Sequence, residues 1–157
     1  MNRLTLAFAA LTILAGCNQH KEEDVVPAKI AVSDAMIRLP AVEGRPGAAY
    51  FTIHGGPAPD RLVAVTSARV ATIELHESKT ENGMMSMAPL TGVDVSAGGE
   101  VVFKPGGNHA MLFGIDPAVK LGDALTLHFS FQSGAKVDAE AKAVAAGDAM
   151  PMEGMAH

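Results

Sequence analysis

The chain has 157 residues, enough for one domain, with 48% hydrophobic and only 4% aromatic residues and no Trp. Its formal net charge is -5 and no Lys/Arg run interrupts it, which excludes the basic footprint that nucleic-acid binding needs. Nine methionines against a single cysteine give the composition its bias.

The first segment reads as a targeting signal. Arg3 supplies one positive charge, and Leu4 to Leu14 form a short apolar stretch. That stretch is too short to span a bilayer as a helix. It ends in "LAGC" (Leu14 to Cys17), which resembles the bacterial lipobox, where cleavage precedes a cysteine that is then diacylated. Residues 1–16 are therefore expected to be a lipoprotein signal peptide, with Cys17 as the lipidation site. A lone thiol would be a liability in an oxidising compartment, and a lipidated one is not. Several acyl chains anchor a protein stably to a membrane surface. The expected location is the periplasmic side of a bacterial membrane. Asn18 does not decide between the inner and the outer membrane.

Residues 17–27 continue as "CNQHKEEDVVP", polar and charged, and read as a flexible tether. Ten residues of such a chain span about 17–19 Å.

From residue 28 to 144 the chain breaks into short runs of strand character. They are Lys29–Ile37, Ala48–His54, Arg61–Ser67, Ala71–Glu77, Met84–Pro89, Glu100–Lys104, Ala110–Gly114, Leu125–Gln132 and Lys136–Ala141. The breaks carry turn residues, as in "GRPG", "GGPAPD", "ENG", "PGG" and "SG". "LTLHFSF" alternates cleanly, with Leu125, Leu127, Phe129 and Phe131 on one face. "DAEAKAVAAGDAM" admits a short helix, but Val137, Ala139 and Ala141 also suit a last strand. The pattern predicts an all-β sandwich of seven to nine strands in one domain. Residues 145–157 are diluted by Gly, Pro and acidic residues and read as a mobile tail. The tail carries Met150, Met152, Met155 and His157.

Catalytic motifs are missing. No G-x-S-x-G elbow, H-E-x-x-H or phosphate-cradling glycine loop is present, and Cys17 is committed to the anchor. The expectation is that the protein is not an enzyme. Sulfur and imidazole residues instead concentrate between positions 76 and 111: His76, Met84, Met85, Met87, His109 and Met111. In a strand, His109 and Met111 share a face. In "ELHESKTENGMMSM", a hairpin turning through "TENG" would set His76 opposite Met87. A two-residue turn at Asn82 and Gly83 would set Met87 opposite Ser78. Either register keeps Met87 within a diagonal neighbour of His76. Met84 should point away from Met87 or serve the core, and Met85 shares the Met87 face, which makes it a reserve ligand behind Met87. His54 and His128 read as ordinary hydrogen-bonded strand residues.

Two imidazoles and two thioethers form a soft, uncharged donor set. Such a set selects Cu(I) over hard cations. Zn²⁺ would favour thiolate or carboxylate over thioether. A blue-copper electron-transfer site needs a Cys ligand, and none is left here. The pattern points to carrying copper rather than passing electrons.

The spacing from His76 through Met87 and His109 to Met111 is H-x10-M-x21-H-x-M. It resembles the signature of the periplasmic copper chaperone family PCu(A)C. "AAYFTI", "PDRLVAV", "GMMSMAPL", "SAGGEVVFKPGGNHAML" and "LGDALTLHFSF" resemble the family as well. The resemblance implies a cupredoxin-like β-sandwich with Cu(I) held by His76, Met87, His109 and Met111. It also implies delivery to the binuclear copper centre of a cytochrome c oxidase, with the copper-centre subunit and a thioredoxin-like copper protein as partners. The Met/His tail matches, in kind, family extensions linked to a second copper, sometimes Cu(II). Two other roles compete with delivery: a periplasmic copper buffer for tolerance, and a copper-dependent redox enzyme, which the missing Cys disfavours.

Overall fold

The structure is a computed structural model, and it describes residues 29–147 apart from Asn82. Ten strands follow one another: β1 (Ala31–Arg38), β2 (Gly47–His54), β3 (Asp60–Thr66), β4 (Val70–Glu81), β5 (Met84–Pro89), β6 (Val93–Val95), β7 (Glu100–Phe103), β8 (Asn108–Ile115), β9 (Ala124–Phe131) and β10 (Lys136–Val144). The count exceeds the expected seven to nine. The added strand is β6, three residues pairing with β3, which is too short to show an alternation in sequence. The segment open to a helical reading is strand β10 as far as Val144, and Ala141 and Ala143 turn into the core between Glu140, Lys142 and Val144.

Hydrogen bonding runs unbroken through β5-β4-β8-β2-β1-β10-β9-β3-β6, and β7 pairs with the outer half of β2. The β1–β10 pair is parallel and every other pair is antiparallel. Strands β2 and β9 lie three steps apart on this path. In a flat sheet that separation would be about 14 Å. Yet the rings of Phe51 on β2 and Phe129 on β9 meet edge to face with centroids 4.8 Å apart. The sheet therefore folds over itself into two layers, the sandwich that the alternation predicts. Strand β1 lies between the two halves. It carries a bulge between Ser33 and Met36, with Asp34 at φ 53°. Bulges bend a strand and raise its twist, which suits the place where the path changes layer.

Phe51 also stacks on Phe103 of β7, with centroids 4.2 Å apart. Around this aromatic centre pack Ile37, Ile53, Leu62, Leu112, Leu125 and Leu127, all fully buried. Burying each such side chain contributes about 1.5–3 kcal/mol. Strand alternation then leaves a second set of side chains on the outside of the first layer. It comprises Arg38, Tyr50, His76, Met87, His109 and Met111 on five strands, and the candidate ligands belong to it.

Candidate metal centre

On β8, Ala110 and Leu112 face the core and are completely buried, so His109 and Met111 turn to the outer face. On β4 the same parity buries Leu75 and turns Glu74, His76 and Ser78 outward. The β4–β8 register sets His76 directly opposite His109, and Glu74 opposite Met111. The two imidazole rings lie 5.9 Å apart between centroids, tilted by 31°.

The β4–β5 register pairs His76 with Pro89, Ser78 with Met87 and Glu81 with Met84. The two-residue turn is therefore the one that forms, and the register with His76 opposite Met87 does not. Gly83 has φ 77°, a conformation costly for any residue with a Cβ, and this closes the short loop. Met87 comes to His76 as a diagonal neighbour. Met87, His109 and Met111 line one shallow pocket, walled by Arg38, Pro40, Pro46 and Tyr50. His76 borders this pocket through His109. The four residues singled out from the sequence thus gather at one place on the outer face.

Each imidazole has a fixed tautomer in its neutral form. His109 Nδ1 lies 3.0 Å from the carbonyl oxygen of Gly107. That oxygen can only accept, so Nδ1–H donates and Nε2 keeps its lone pair. The same carbonyl accepts the Ser78 N–H at 3.1 Å. Gly107 therefore ties the hairpin arm and the His109 ring to one point. Gly106, with φ 78°, makes the turn into β8 that puts this carbonyl there. His76 is arranged the other way round. Its Nε2 lies 3.0 Å from the Glu74 carboxylate. An ionised carboxylate only accepts, so Nε2–H donates and Nδ1 keeps the lone pair. His76 Nδ1 is buried and has no hydrogen-bond partner. An orphaned buried nitrogen carries a cost of about 1–3 kcal/mol unless something binds it. A metal ion would.

Glu74 and Gly107 were not recognised as site residues from the sequence. The signal for Glu74 was there in "ELHE", because a strand places residues 74 and 76 on one face. The role of Gly107 depends on a backbone carbonyl, which no residue type announces.

The other candidates have different places. Met84 is 73% exposed and on the opposite face from Met87, so it points away and does not serve the core. Met85 shares the Met87 face and is 72% exposed. His54 Nε2 bonds Ser33 Oγ at 2.8 Å, and His128 Nδ1 bonds Asp138 at 2.8 Å. Both fit the structural reading. Cys17, Met150, Met152, Met155 and His157 lie outside the described residues. Among the described residues, no cluster of three or more His, Cys, Asp or Glu side chains is arranged to hold a metal, so the candidate set depends on its thioethers.

The family described as "Putative lipoprotein LpqE-like" matches residues 30–143. The chain belongs to the LpqE-like family. It is 29% identical over 138 residues to "Putative lipoprotein Lxx21020" of Leifsonia xyli subsp. xyli, covering 84% of this chain and 82% of that protein. Among solved structures, the apo PCuAC domain of PmoF2 superposes with a TM-score of 0.62 at 26% identity, over 78% of this chain and 94% of that domain. Its copper-bound form gives 0.62 at 22% identity, over 74% and 93% of the two chains. The Cu(I) form of DR1885 from Deinococcus radiodurans gives 0.55 at 20% identity, over 82% of each chain. This LpqE-like chain thus has the PCuAC fold that the sequence resemblance implies.

Proposed function

We infer that this protein is a copper chaperone that binds Cu(I) through His76, Met87, His109 and Met111. The observation that carries this reading is the buried, unpartnered Nδ1 of His76 beside His109, with two thioethers at the same pocket. Neutral imidazole and thioether donors leave the ion its single charge, match a soft monovalent metal and permit release. Glu74 holds one ring and Gly107 the other, as outer partners of metal-bound histidines do. The copper-bound forms of two structural neighbours support copper as the cargo. No catalytic step is needed for this role, and the protein acts as a carrier rather than an enzyme.

Lipidation at Cys17 would hold the domain on the periplasmic side of a bacterial membrane, a reading that the lipobox-like "LAGC" and the description of the family support. From there it delivers copper to the binuclear centre of a cytochrome c oxidase, with a thioredoxin-like copper protein as a second partner. The tail residues Met150, Met152, Met155 and His157 supply a second, weaker copper site, open to Cu(II).

Titration with Cu(I) against a competing chelator tests the site. Wild type should take one tightly bound equivalent, and Met111→Ala or His109→Ala should lose it. Unchanged affinity in both variants would refute the assignment. Deletion of the gene separates delivery from storage. A chaperone lowers oxidase activity at limiting copper, whereas a buffer raises copper sensitivity and spares the oxidase.

A further inference from the structure

The hairpin that supplies Met87 extends past the body of the domain. Strand β4 pairs with β8 only as far as Glu77 opposite Asn108, and the Ser78–Gly107 bond is its last link there. Beyond it, Lys79 to Glu81 pair only with Met84 to Ser86. Strand β5 is at the edge of the sheet and every residue in it is exposed. Met84, Met85 and Met87 are 73%, 72% and 54% exposed. These three exposed thioethers within four residues lie outside the hydrophobic core, so core packing does not account for them.

Met85 and Met84 differ in one respect. Met85 is two residues from Met87 on the same face, about 6.6–6.8 Å along the strand, and farther out on the arm. Met84 is on the other face. Methionine is unbranched, with three rotatable bonds, so two sulfurs spaced this way can meet at one ion.

We propose that Met85 is the outer docking thioether through which Cu(I) leaves and enters the His76, Met87, His109 and Met111 site. This rests on the Cu(I) reading of that site. The Met85 Sδ lone pair forms a bond to the ion as the bond to Met87 Sδ breaks. The copper stays Cu(I), and thioethers carry no proton, so neither an electron nor a proton moves. A soft donor of the acceptor then displaces Met85. The ion is never left without soft ligands during the exchange.

The test compares Met85→Leu with Met84→Leu, two substitutions of similar volume at equally exposed positions. Cu(I)-loaded protein is mixed with excess bathocuproine disulfonate in a stopped-flow instrument, and equilibrium affinity is measured separately. Met85→Leu should slow transfer about three- to tenfold, with equilibrium affinity within about twofold of wild type. Met84→Leu should match wild type in both. Equal rates in all three proteins would overturn the proposal, as would equal slowing by the two variants. A loss of equilibrium affinity in Met85→Leu as large as that of Met111→Ala would also overturn it, by making Met85 a resident ligand. His109→Ala is measured alongside. If that variant keeps wild-type affinity, the underlying site reading fails, and this result is distinct from a failure of Met85 alone.

Discussion

His76 and His109 face each other across the β4–β8 pair, with ring centroids 5.9 Å apart and lone pairs on different nitrogens. His76 offers Nδ1 and His109 offers Nε2, each because an acceptor-only oxygen holds the other nitrogen. Replacing either by Ala should weaken Cu(I) binding at least about 100-fold, or about 2.7 kcal/mol. His109→Ala also removes one of the two hydrogen bonds that the Gly107 carbonyl accepts and leaves the Ser78 N–H in place, so its apo form should unfold slightly earlier. Chelator competition and thermal unfolding of the apo proteins check the two statements.

In the proposed Cu(I) site, Glu74 would act through His76, whose Nε2–H it holds at 3.0 Å. Glu74→Gln turns a carboxylate acceptor into an amide that can offer His76 the wrong partner. Cu(I) affinity should fall about tenfold, as is usual when the outer partner of a metal-bound histidine is lost. Glu77→Gln is the control, because Glu77 is on the opposite face and pairs with Lys79 at 2.9 Å. Its affinity should equal that of wild type. Imidazole nitrogen shifts in the apo proteins should show a change at His76 in the first variant and none in the second.

Gly83 closes the hairpin at φ 77° with open space around its Cα. A side chain there meets no neighbour, so the cost of Gly83→Val is backbone strain alone, about 1–2 kcal/mol. The strain falls on the arm that carries Met87 rather than on the core. Cu(I) affinity should therefore drop severalfold while the main unfolding transition moves little. Amide exchange should quicken in residues 79–87 and not in β9.

Asp60 ties the start of β3 to the β9–β10 turn. Burial pushes its carboxyl pKa up, but the Ser133 hydroxyl and the N–H groups of Arg61 and Ser133 more than reverse this, and the net shift is below the ordinary 3.8. A depressed folded-state pKa gives stability that is present above the unfolded value and lost as pH falls through the folded one. Asp60→Asn should thus lower the denaturation midpoint at pH 7. The gap to wild type should close below about pH 3.8. Urea unfolding at pH 7 and pH 3 measures it.

What could be read from the sequence was what depends on neighbours along the chain. The alternation of "LTLHFSF" placed Leu125, Leu127, Phe129 and Phe131 inside, and all four are buried. The single residue between His109 and Met111 put them on one face. Both follow from the two-residue period of a strand, which acts locally. The order and spacing of His76, Met87, His109 and Met111 were likewise fixed by the chain itself.

Other features depended on contacts between distant segments. The choice between two hairpin registers followed from the loop that closed, and both were compatible with the alternation. Strand β6 exists only because β3 offers it an edge. The closure that brings Phe51 to Phe129 joins residues 78 positions apart. Most of all, the donor nitrogen of each histidine was decided by partners that no spacing reveals. A carboxylate two residues away sets His76, and a turn carbonyl shared with Ser78 sets His109. The sequence determined which four soft side chains this protein carries. The tertiary structure decided that they meet, and which lone pairs they present, because strand pairing across the sheet fixes those distances and orientations.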